Sequence, residues 1–351
     1  MTLRSTVFTE APGTMILQTQ RITLALGLII LTGCAEKEYV TDTIDVTENL
    51  SFNESVSKIN YRVNRPGLVV EGNGHTIDGI CNTECIGLTI NADNVTVRNL
   101  TIKRFDGGVS IKPGVTGVKF ENVTIVDNVN HGVFVNVGVS QFSCDRCDIS
   151  DNGSMGLYFE YNSFGNSISN SRVANNGYRD KDTGDWIENL RSDAKDKREG
   201  LAIDASQGNS ITNSTFTGNA LTGITMYKNC GERGIRRDWG ANHNTVSNST
   251  FHDGIHVASR QDKDLSDWTC VDPYVWQNKY ITDEAEFNVL ENITLVGNAK
   301  IRIQDDNNTV QSVTGGEIIV SSTVRQALNL PITGVEIQNN DSVVANSFAD
   351  L

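Results

Sequence analysis

One short segment recurs along most of the chain, and its spacing limits the possible folds more than any other feature. Each copy combines alternating apolar residues with, in six of the seven copies, an asparagine three positions before the last of them, as in TVRNLTI at 96–102. The last apolar residues of the seven copies are Ile102, Ile125, Ile149, Val173, Phe216, Phe251 and Leu295. The first four follow one another at about 24 residues, a period typical of a solenoid of stacked units.

A second apolar strand, opened by a glycine, follows each of the middle copies. These strands lie at 132–135, 156–159, 200–203, 223–226 and 254–257. A single coil with two short strands cannot bury its apolar side, so coils must stack and share one interior. The asparagines recur at Asn99, Asn122, Asn170, Asn213, Asn248 and Asn292, and Arg146 replaces the third member. The pattern predicts a β-solenoid with an asparagine ladder at one turn.

The repeat over roughly residues 60–320 resembles the right-handed parallel β-helix repeats of pectate lyases, alginate and chondroitin lyases and alginate C-5 epimerases. The resemblance implies an all-β fold, a right-handed parallel β-helix. The competing fold, a sandwich of antiparallel strands, has no reason to repeat an asparagine at a fixed period. The segment from Pro331 to Leu351 is expected to form a final coil that covers the open end.

The N-terminus has the features of an export signal. Arg21 precedes the apolar run 22–31, which is too short to span a bilayer but suits the core of a signal peptide. The run ends in Leu31-Thr32-Gly33-Cys34, which resembles the bacterial lipobox and implies cleavage before Cys34 and acylation of its thiol. Met15 is the better start for such a peptide, and Ala35 favours the outer membrane by analogy. A signal without lipidation is the alternative.

The predicted domains are therefore a signal peptide at 1–33, an N-terminal linker and cap at 34–59, and a parallel β-helix at 60–351. Six cysteines remain after Cys34, an even number that suits disulfides in an oxidising compartment. The predicted pairs are Cys81–Cys85, Cys144–Cys147 and Cys230–Cys270. A zinc site is the alternative, but the two short pairs lack matching histidines.

Three consecutive coils are longer than the repeat, which predicts long loops near 177–200, 230–240 and 261–286. The loops contain the four tryptophans, Trp186, Trp239, Trp268 and Trp276, and the arginine pair Arg236 and Arg237. Coils are only about 4.8 Å apart, so these loops must lie close together. Aromatic rings and guanidinium groups suit a sugar chain with carboxylates, because arginine binds carboxylate through two hydrogen bonds. Shielding of the solenoid or binding of a partner protein is the alternative.

Alternation of side chains predicts which residues face outward on the second strand of each coil. The inward positions are all apolar: Leu157, Leu201, Ile224 and Ile255, then Phe159, Ile203, Met226 and Val257. The outward residues form one column of Tyr158, Ala202, Thr225 and His256, and a second of Glu160, Asp204, Tyr227 and Ala258. Lys228 and Arg260 follow on neighbouring coils. The expected patch beside the loops thus contains Lys228, Tyr227, His256 and Arg260.

This patch is suited to β-elimination on a uronic acid, which needs a group that neutralises the carboxylate, a base and an acid. A lysine among other cations gives up its proton more readily, so Lys228 is the candidate base. Arg260 is the candidate partner of the carboxylate or of the leaving oxygen. Tyr227 is an alternative acid and His256 an alternative base. A lysine and an arginine on adjacent coils resemble the sixth polysaccharide lyase family, and that likeness rests on these two residues alone.

Substrate-binding candidates are Arg236, Arg237, Tyr158, Trp268, Glu160 and Asp204. Glu160 and Asp204 are also candidate oxygen ligands for Ca²⁺, the one cofactor that the sequence suggests, or the acids of a glycoside hydrolase. The chain lacks the Asp-Pro-His-Asp motif of alginate epimerases, which lowers that possibility without excluding it, and a non-catalytic carbohydrate-binding lipoprotein also stays open. The net charge of −14 argues against nucleic acid as a partner. We expect a monomer that meets the membrane only through its lipid.

Overall fold

Short apolar segments at a regular period form parallel strands that stack coil upon coil. The computed structural model describes residues 42–81, 84–179, 197–229, 237–258, 284–322, 325–326, 331–341 and 343–346. Within this part of the chain the strands form two long parallel sheets, which we call sheet A and sheet B. No helix in the described residues is long and apolar enough to cross a membrane. The predicted all-β parallel β-helix is confirmed.

Sheet A contains one strand from each coil. Its strands are, in spatial order, β1 (Asp42–Val46), β4 (Ile59–Val63), β7 (Ile86–Ile90), β10 (Gly107–Ile111), β13 (Val133–Val135), β16 (Leu157–Phe159), β19 (Leu201–Asp204), β22 (Ile224–Tyr227), β25 (Ile255–Val257), β27 (Lys300–Ile303), β29 (Glu317–Val320) and β31 (Val343–Asn346). Neighbouring strands pair in parallel.

Sheet B contains two rows of strands, which meet at a corner. The first row is β2 (Leu50–Ser51), β5 (Val69–Glu71), β8 (Thr96–Arg98), β11 (Lys119–Glu121), β14 (Ser143–Asp145), β17 (Ser167–Ser169), β20 (Ser210–Thr212), β23 (Thr245–Ser247), β26 (Val289–Leu295), β28 (Thr309–Thr314) and β30 (Glu336–Gln338). The second row is β3 (Val56–Ser57), β6 (Thr76–Asp78), β9 (Thr101–Lys103), β12 (Thr124–Val126), β15 (Asp148–Ser150), β18 (Arg172–Ala174), β21 (Thr215–Thr217) and β24 (Thr250–Phe251). The long strands β26 and β28 continue from the first row into the second.

The solenoid begins earlier than the sequence predicts. Strand β1 pairs with β4 from Asp42 to Val46, so strands already stack within the segment that the sequence predicts as linker and cap. Strand β1 is the first strand of sheet A in the described residues, and four of its five residues are exposed. Ile44 and Val46 occupy the positions that are apolar in the next coils, beside Tyr61 and Val63.

The interior is formed by the residues that alternation assigned to it. The eight inward residues predicted on β16, β19, β22 and β25 are all fully buried. Sheet B and the residues next to its strands contribute further columns of buried apolar side chains, which include Phe120, Phe142, Ile149, Phe216 and Phe251. The rings of Phe216 and Phe251 stack with centroids 4.8 Å apart. Each coil thus completes the apolar interior of its neighbours.

The corner between the two rows of sheet B explains the recurring asparagine. Asn99, Asn122 and the other four asparagines have φ between 50° and 55°, and so does Arg146. Asparagine tolerates this left-handed conformation better than most residues. The predicted amide ladder is present only in part: Asn122 Nδ2 donates to Asn99 Oδ1 at 2.9 Å and Asn292 Nδ2 to Asn248 Oδ1 at 3.2 Å. The amide of Asn170 binds Asp145 instead.

Two of the three predicted disulfides are present, Cys81–Cys85 and Cys144–Cys147. Each closes a short stretch of one coil, and their sulfur-bearing residues are buried. The third predicted pair, Cys230–Cys270, lies outside the described residues. The same is true of Cys34 and the predicted signal peptide.

Candidate functional site

The outward face of sheet A carries the first predicted column in the expected order. Tyr158 pairs with Ala202, Ala202 with Thr225, and Thr225 with His256. The column continues to Arg302, which lies beside His256 on β27. Both of these residues are half-buried. Sequence reasoning missed Arg302, although the alternation Lys300-Ile301-Arg302-Ile303 places it outward.

The second column lies at the end of the same strands. Asp204 pairs with Tyr227, and Glu160 follows Phe159, the partner of Ile203, on the neighbouring coil. Lys228 comes directly after β22, is 7% exposed, and its backbone N–H donates to Glu284 Oε1 at 3.4 Å. Tyr227 and Lys228 thus lie at the C-terminal end of β22, and His256 lies on the neighbouring strand β25. Their predicted catalytic roles stay predictions.

A cluster of polar side chains surrounds Asp204. Its Oδ2 accepts a hydrogen bond from the Tyr158 hydroxyl at 2.7 Å, and its Oδ1 accepts one from the backbone N–H of Asn229 at 2.7 Å. The Arg237 guanidinium lies 3.2 Å from Asp204 Oδ2 and 3.0 Å from Glu160 Oε1, both through Nη2. The same guanidinium stacks on Tyr161, 4.1 Å from the ring centroid. We call Tyr158, Glu160, Asp204 and Arg237 the carboxylate–guanidinium cluster.

Burial dominates the electrostatics of this cluster. It raises the pKa of the Asp204 carboxyl, while Arg237, the Asn229 N–H and the Tyr158 hydroxyl oppose that change. It also raises the pKa of Tyr158 far above its ordinary value, so this phenol stays protonated and donates. Burial lowers the pKa of Arg237, but Asp204 and Glu160 outweigh it and the net direction is upward. Because both oxygens of Asp204 accept hydrogen bonds, the ionised form fits its surroundings.

The predicted calcium ligands, Glu160 and Asp204, lie on either side of a guanidinium group. A guanidinium nitrogen already lies within hydrogen-bond distance of both Glu160 and Asp204. A second acidic group, formed by Glu286, Asp305 and Asp306, has ligand atoms within 4.8 Å of one another. Arg325 binds two of its members, Asp305 and Asp306, each at 2.6 Å. In both places an arginine supplies the positive charge.

The predicted substrate-binding residues divide into three groups. Arg237, Tyr158 and Asp204 are buried and their polar atoms bind one another, so their direct contact with a substrate stays a prediction. Glu160 is half-buried at the edge of the same cluster. Arg260, Arg236 and Trp268 lie outside the described residues. Of the four tryptophans, the structure describes Trp239, which is 42% exposed on the loop that also holds Arg237.

His131 is a half-buried histidine with a buried Nε2 atom, and it gives a stability prediction. The ring of His131 packs 5.1 Å from Phe134, which stacks on Tyr158 at 5.0 Å. His131 Nε2 is buried and makes no hydrogen bond to the described residues. Burial therefore lowers the pKa of His131 from 6.5 to about 4.

This depressed pKa predicts that acid destabilises the protein. Between about pH 4 and 6.5 the unfolded chain binds more protons at His131 than the folded chain, so stability falls as the pH falls through that window. We expect a loss of about 2 kcal/mol by about pH 5. Replacement His131→Phe should remove it, as measured by urea unfolding at neutral and acidic pH. An unchanged pH dependence in this variant would contradict the assignment.

Comparison with known proteins agrees with the fold. The sequence matches the family model described as the right-handed β-helix region over residues 48–234. No curated protein matches the sequence significantly. An alginate lyase from Paenibacillus sp. str. FPU-7 is similar in structure, with a TM-score of 0.37 and 11% identity over 87% of this chain and 99% of that one.

Two further solved structures are similar at the same level. The A-module of a mannuronan C-5 epimerase from Azotobacter vinelandii has a TM-score of 0.46 and 13% identity over 87% of this chain and 81% of that one. The catalytic domain of a GH87 α-1,3-glucanase in complex with nigerose has a TM-score of 0.44 and 12% identity over 87% of this chain and 60% of that one. At these identities the likeness concerns the fold, and function must be argued from the site.

Proposed function

The chain belongs to the right-handed β-helix family, and we propose that the outward patch of sheet A makes it a lyase that cleaves a uronic-acid polymer such as alginate by β-elimination. The observation that carries the proposal is the register of three adjacent strands. Tyr227 ends β22 in the outward phase that His256 shares on β25 and Arg302 on β27, and Lys228 follows Tyr227 directly. This order supports the grouping of a phenol, an imidazole, a guanidinium and an amine.

These groups match the needs of the reaction. A base removes the proton from carbon five of the uronate. The electron pair of that carbon–hydrogen bond then forms the double bond between carbons four and five. The bond from carbon four to the glycosidic oxygen then breaks, and an acid protonates that oxygen. A cation beside the substrate carboxylate stabilises the negative charge that develops next to carbon five. Tyr227, Lys228, His256 and Arg302 offer candidates for these three roles.

We assign the base to Lys228 and the acid to Tyr227, with His256 as the alternative base. Arg302, beside His256, is the described cation that best suits the uronate carboxylate, and Arg260 is the alternative that the sequence predicts for this role. Arg236, Trp268 and Trp239 are assigned to the sugar chain on either side of the cleaved bond. Arginine binds carboxylates in two-point contacts and aromatic rings offer flat apolar surfaces, which suits a charged polysaccharide.

The reaction product distinguishes this proposal from its competitors. Incubation with alginate, pectate and chondroitin should give a product that absorbs ultraviolet light through its new double bond. Reducing ends without that absorbance would indicate a glycoside hydrolase, in which Glu160 and Asp204 are the acids to test. A changed NMR spectrum of the intact polymer would indicate an epimerase. Binding without any change would indicate a carbohydrate-binding lipoprotein and would refute the lyase.

We further propose that the protein is an exported lipoprotein anchored in the outer membrane through acylated Cys34. The signal-like run at 22–31 and the segment ending in Cys34 support this location. Expression in a bacterium with radiolabelled palmitate should label the wild type but not Cys34→Ser. A labelled Cys34→Ser variant would contradict the assignment.

A further inference from the structure

A single carboxylate, Asp204, holds both described ends of the insertion that follows β22. The backbone N–H of Asn229, at the start of the insertion, donates to Asp204 Oδ1 at 2.7 Å. Arg237, at its far end, reaches Asp204 Oδ2 at 3.2 Å. Asn229 directly follows Lys228, so Asp204 fixes the backbone beside the candidate base. Asn229 and Arg237 are therefore both held at the end of β19.

The carboxylates of Glu160 and Asp204 are shielded from solvent and therefore require a nearby positive charge. The side chain of Asp204 is fully buried and that of Glu160 is 16% exposed. The two lie on adjacent coils and point outward, where like charges repel strongly because water does not screen them. Arg237 is itself 3% exposed and binds one oxygen of each carboxylate through the same nitrogen. A Ca²⁺ ion between them would bind oxygens of the same two carboxylates.

We propose that Arg237 is the resident cation of the candidate site, which takes the place of Ca²⁺ between Glu160 and Asp204 and holds Lys228–Asn229 in position. Its packing on Tyr161 orients the guanidinium, and the Tyr158 hydroxyl completes the hydrogen bonds to Asp204. Arg237 acts here as a positioning residue. Arg237 has this role whichever reaction the site catalyses, because it acts on the charge and the backbone of the cluster.

The proposal predicts opposite responses to calcium in two forms of the full chain. Thermal unfolding of the wild type should be the same in EDTA and in millimolar CaCl₂. Arg237→Ala removes one partner of a buried ion pair, and its Tm in EDTA should fall by about 5 °C. The two carboxylates then lack the charge of Arg237 and form a cation site, so CaCl₂ should raise that Tm by about 2 °C. Arg237→Lys keeps the charge and should recover most of the loss.

Control variants separate this effect from the general loss of an arginine. Arg172→Ala removes an exposed partner of Asp148, at 2.9 Å, and its Tm should change by less than about 1 °C with no response to calcium. Adding Asp204→Asn to Arg237→Ala should abolish the calcium response. Hydrogen exchange gives a local measurement that does not depend on activity: the amide of Asn229 should lose protection in Arg237→Ala and regain it with calcium.

The opposite results would overturn the proposal. A wild-type Tm that rises with calcium, and no longer does so in Glu160→Gln, would show that the ion binds beside Arg237. Failure of calcium to stabilise Arg237→Ala would show that the guanidinium does not take the place of a metal. If Arg237→Ala does not fold, calorimetric titration of the wild type with CaCl₂ decides the question: heat that disappears in Glu160→Gln refutes the proposal, and its absence supports it.

Discussion

Replacement of Lys228 by methionine is expected to lower turnover on the polyuronate substrate by about 10²–10⁴-fold, which is the contribution typical of a general base. Methionine keeps the length and the apolar stem of the side chain but cannot accept a proton. The backbone N–H of Lys228, which binds Glu284, is unaffected by the substitution. The fold should therefore be retained. The rate is measured from the ultraviolet absorbance of the unsaturated product.

A second substitution at Lys228 distinguishes a role as general base from a role as a positive charge alone. Lys228→Arg keeps the charge but cannot be deprotonated in a protein, so it should be as inactive as Lys228→Met. If Lys228 only neutralised the substrate carboxylate, the arginine variant would retain much of the activity. Lys119→Met is the matched control, because Lys119 is exposed on β11 in sheet B, and it should turn over like the wild type. Full activity in Lys228→Met would leave His256 as the base to test.

The fold could be predicted because each coil repeats the same physical requirement. An apolar residue must face the interior at fixed positions of every strand, and a left-handed corner must recur where asparagine tolerates it. Alternation then assigned the outward columns of sheet A correctly, including the order Tyr158, Ala202, Thr225 and His256. These features depend on local sequence and on a constant period, and both are visible in the chain itself.

The carboxylate–guanidinium cluster was beyond sequence reasoning for the opposite reason. Arg237 lies in a loop, 33 residues from Asp204 and 77 from Glu160, and no period relates them. Nothing local distinguishes it from an arginine that binds substrate. One signal was available: two outward acidic residues stacked on adjacent coils need a nearby cation. The stacked carboxylates predict a positive group, and either a metal ion or a side chain would satisfy them.

Buried asparagines were a further feature that the repeat contained but that the prediction missed. Asn166, Asn209, Asn244, Asn288 and Asn308 each lie two positions before an inward apolar residue of the first row of sheet B. Each side-chain oxygen from Asn209 onward accepts both the backbone N–H and the amide Nδ2 of the preceding member. This continuous ladder satisfies buried polar groups from coil to coil, which the exposed corner asparagines do only in part.

Asn209→Leu is therefore expected to lower the free energy of unfolding by about 3–5 kcal/mol, since several buried polar groups lose their partners at once. Asn209 Oδ1 accepts from Asn166 N and Nδ2, both at 3.0 Å, and its Nδ2 donates to Asn244 Oδ1 at 2.8 Å. Leucine matches the shape of asparagine but offers none of these bonds. Urea unfolding measures the loss, and Asn53→Leu, at an exposed position, should change stability by less than about 0.5 kcal/mol. Equal losses in the two variants would mean that the stacked amides contribute no more than a surface residue, and that the apolar interior alone holds the coils together.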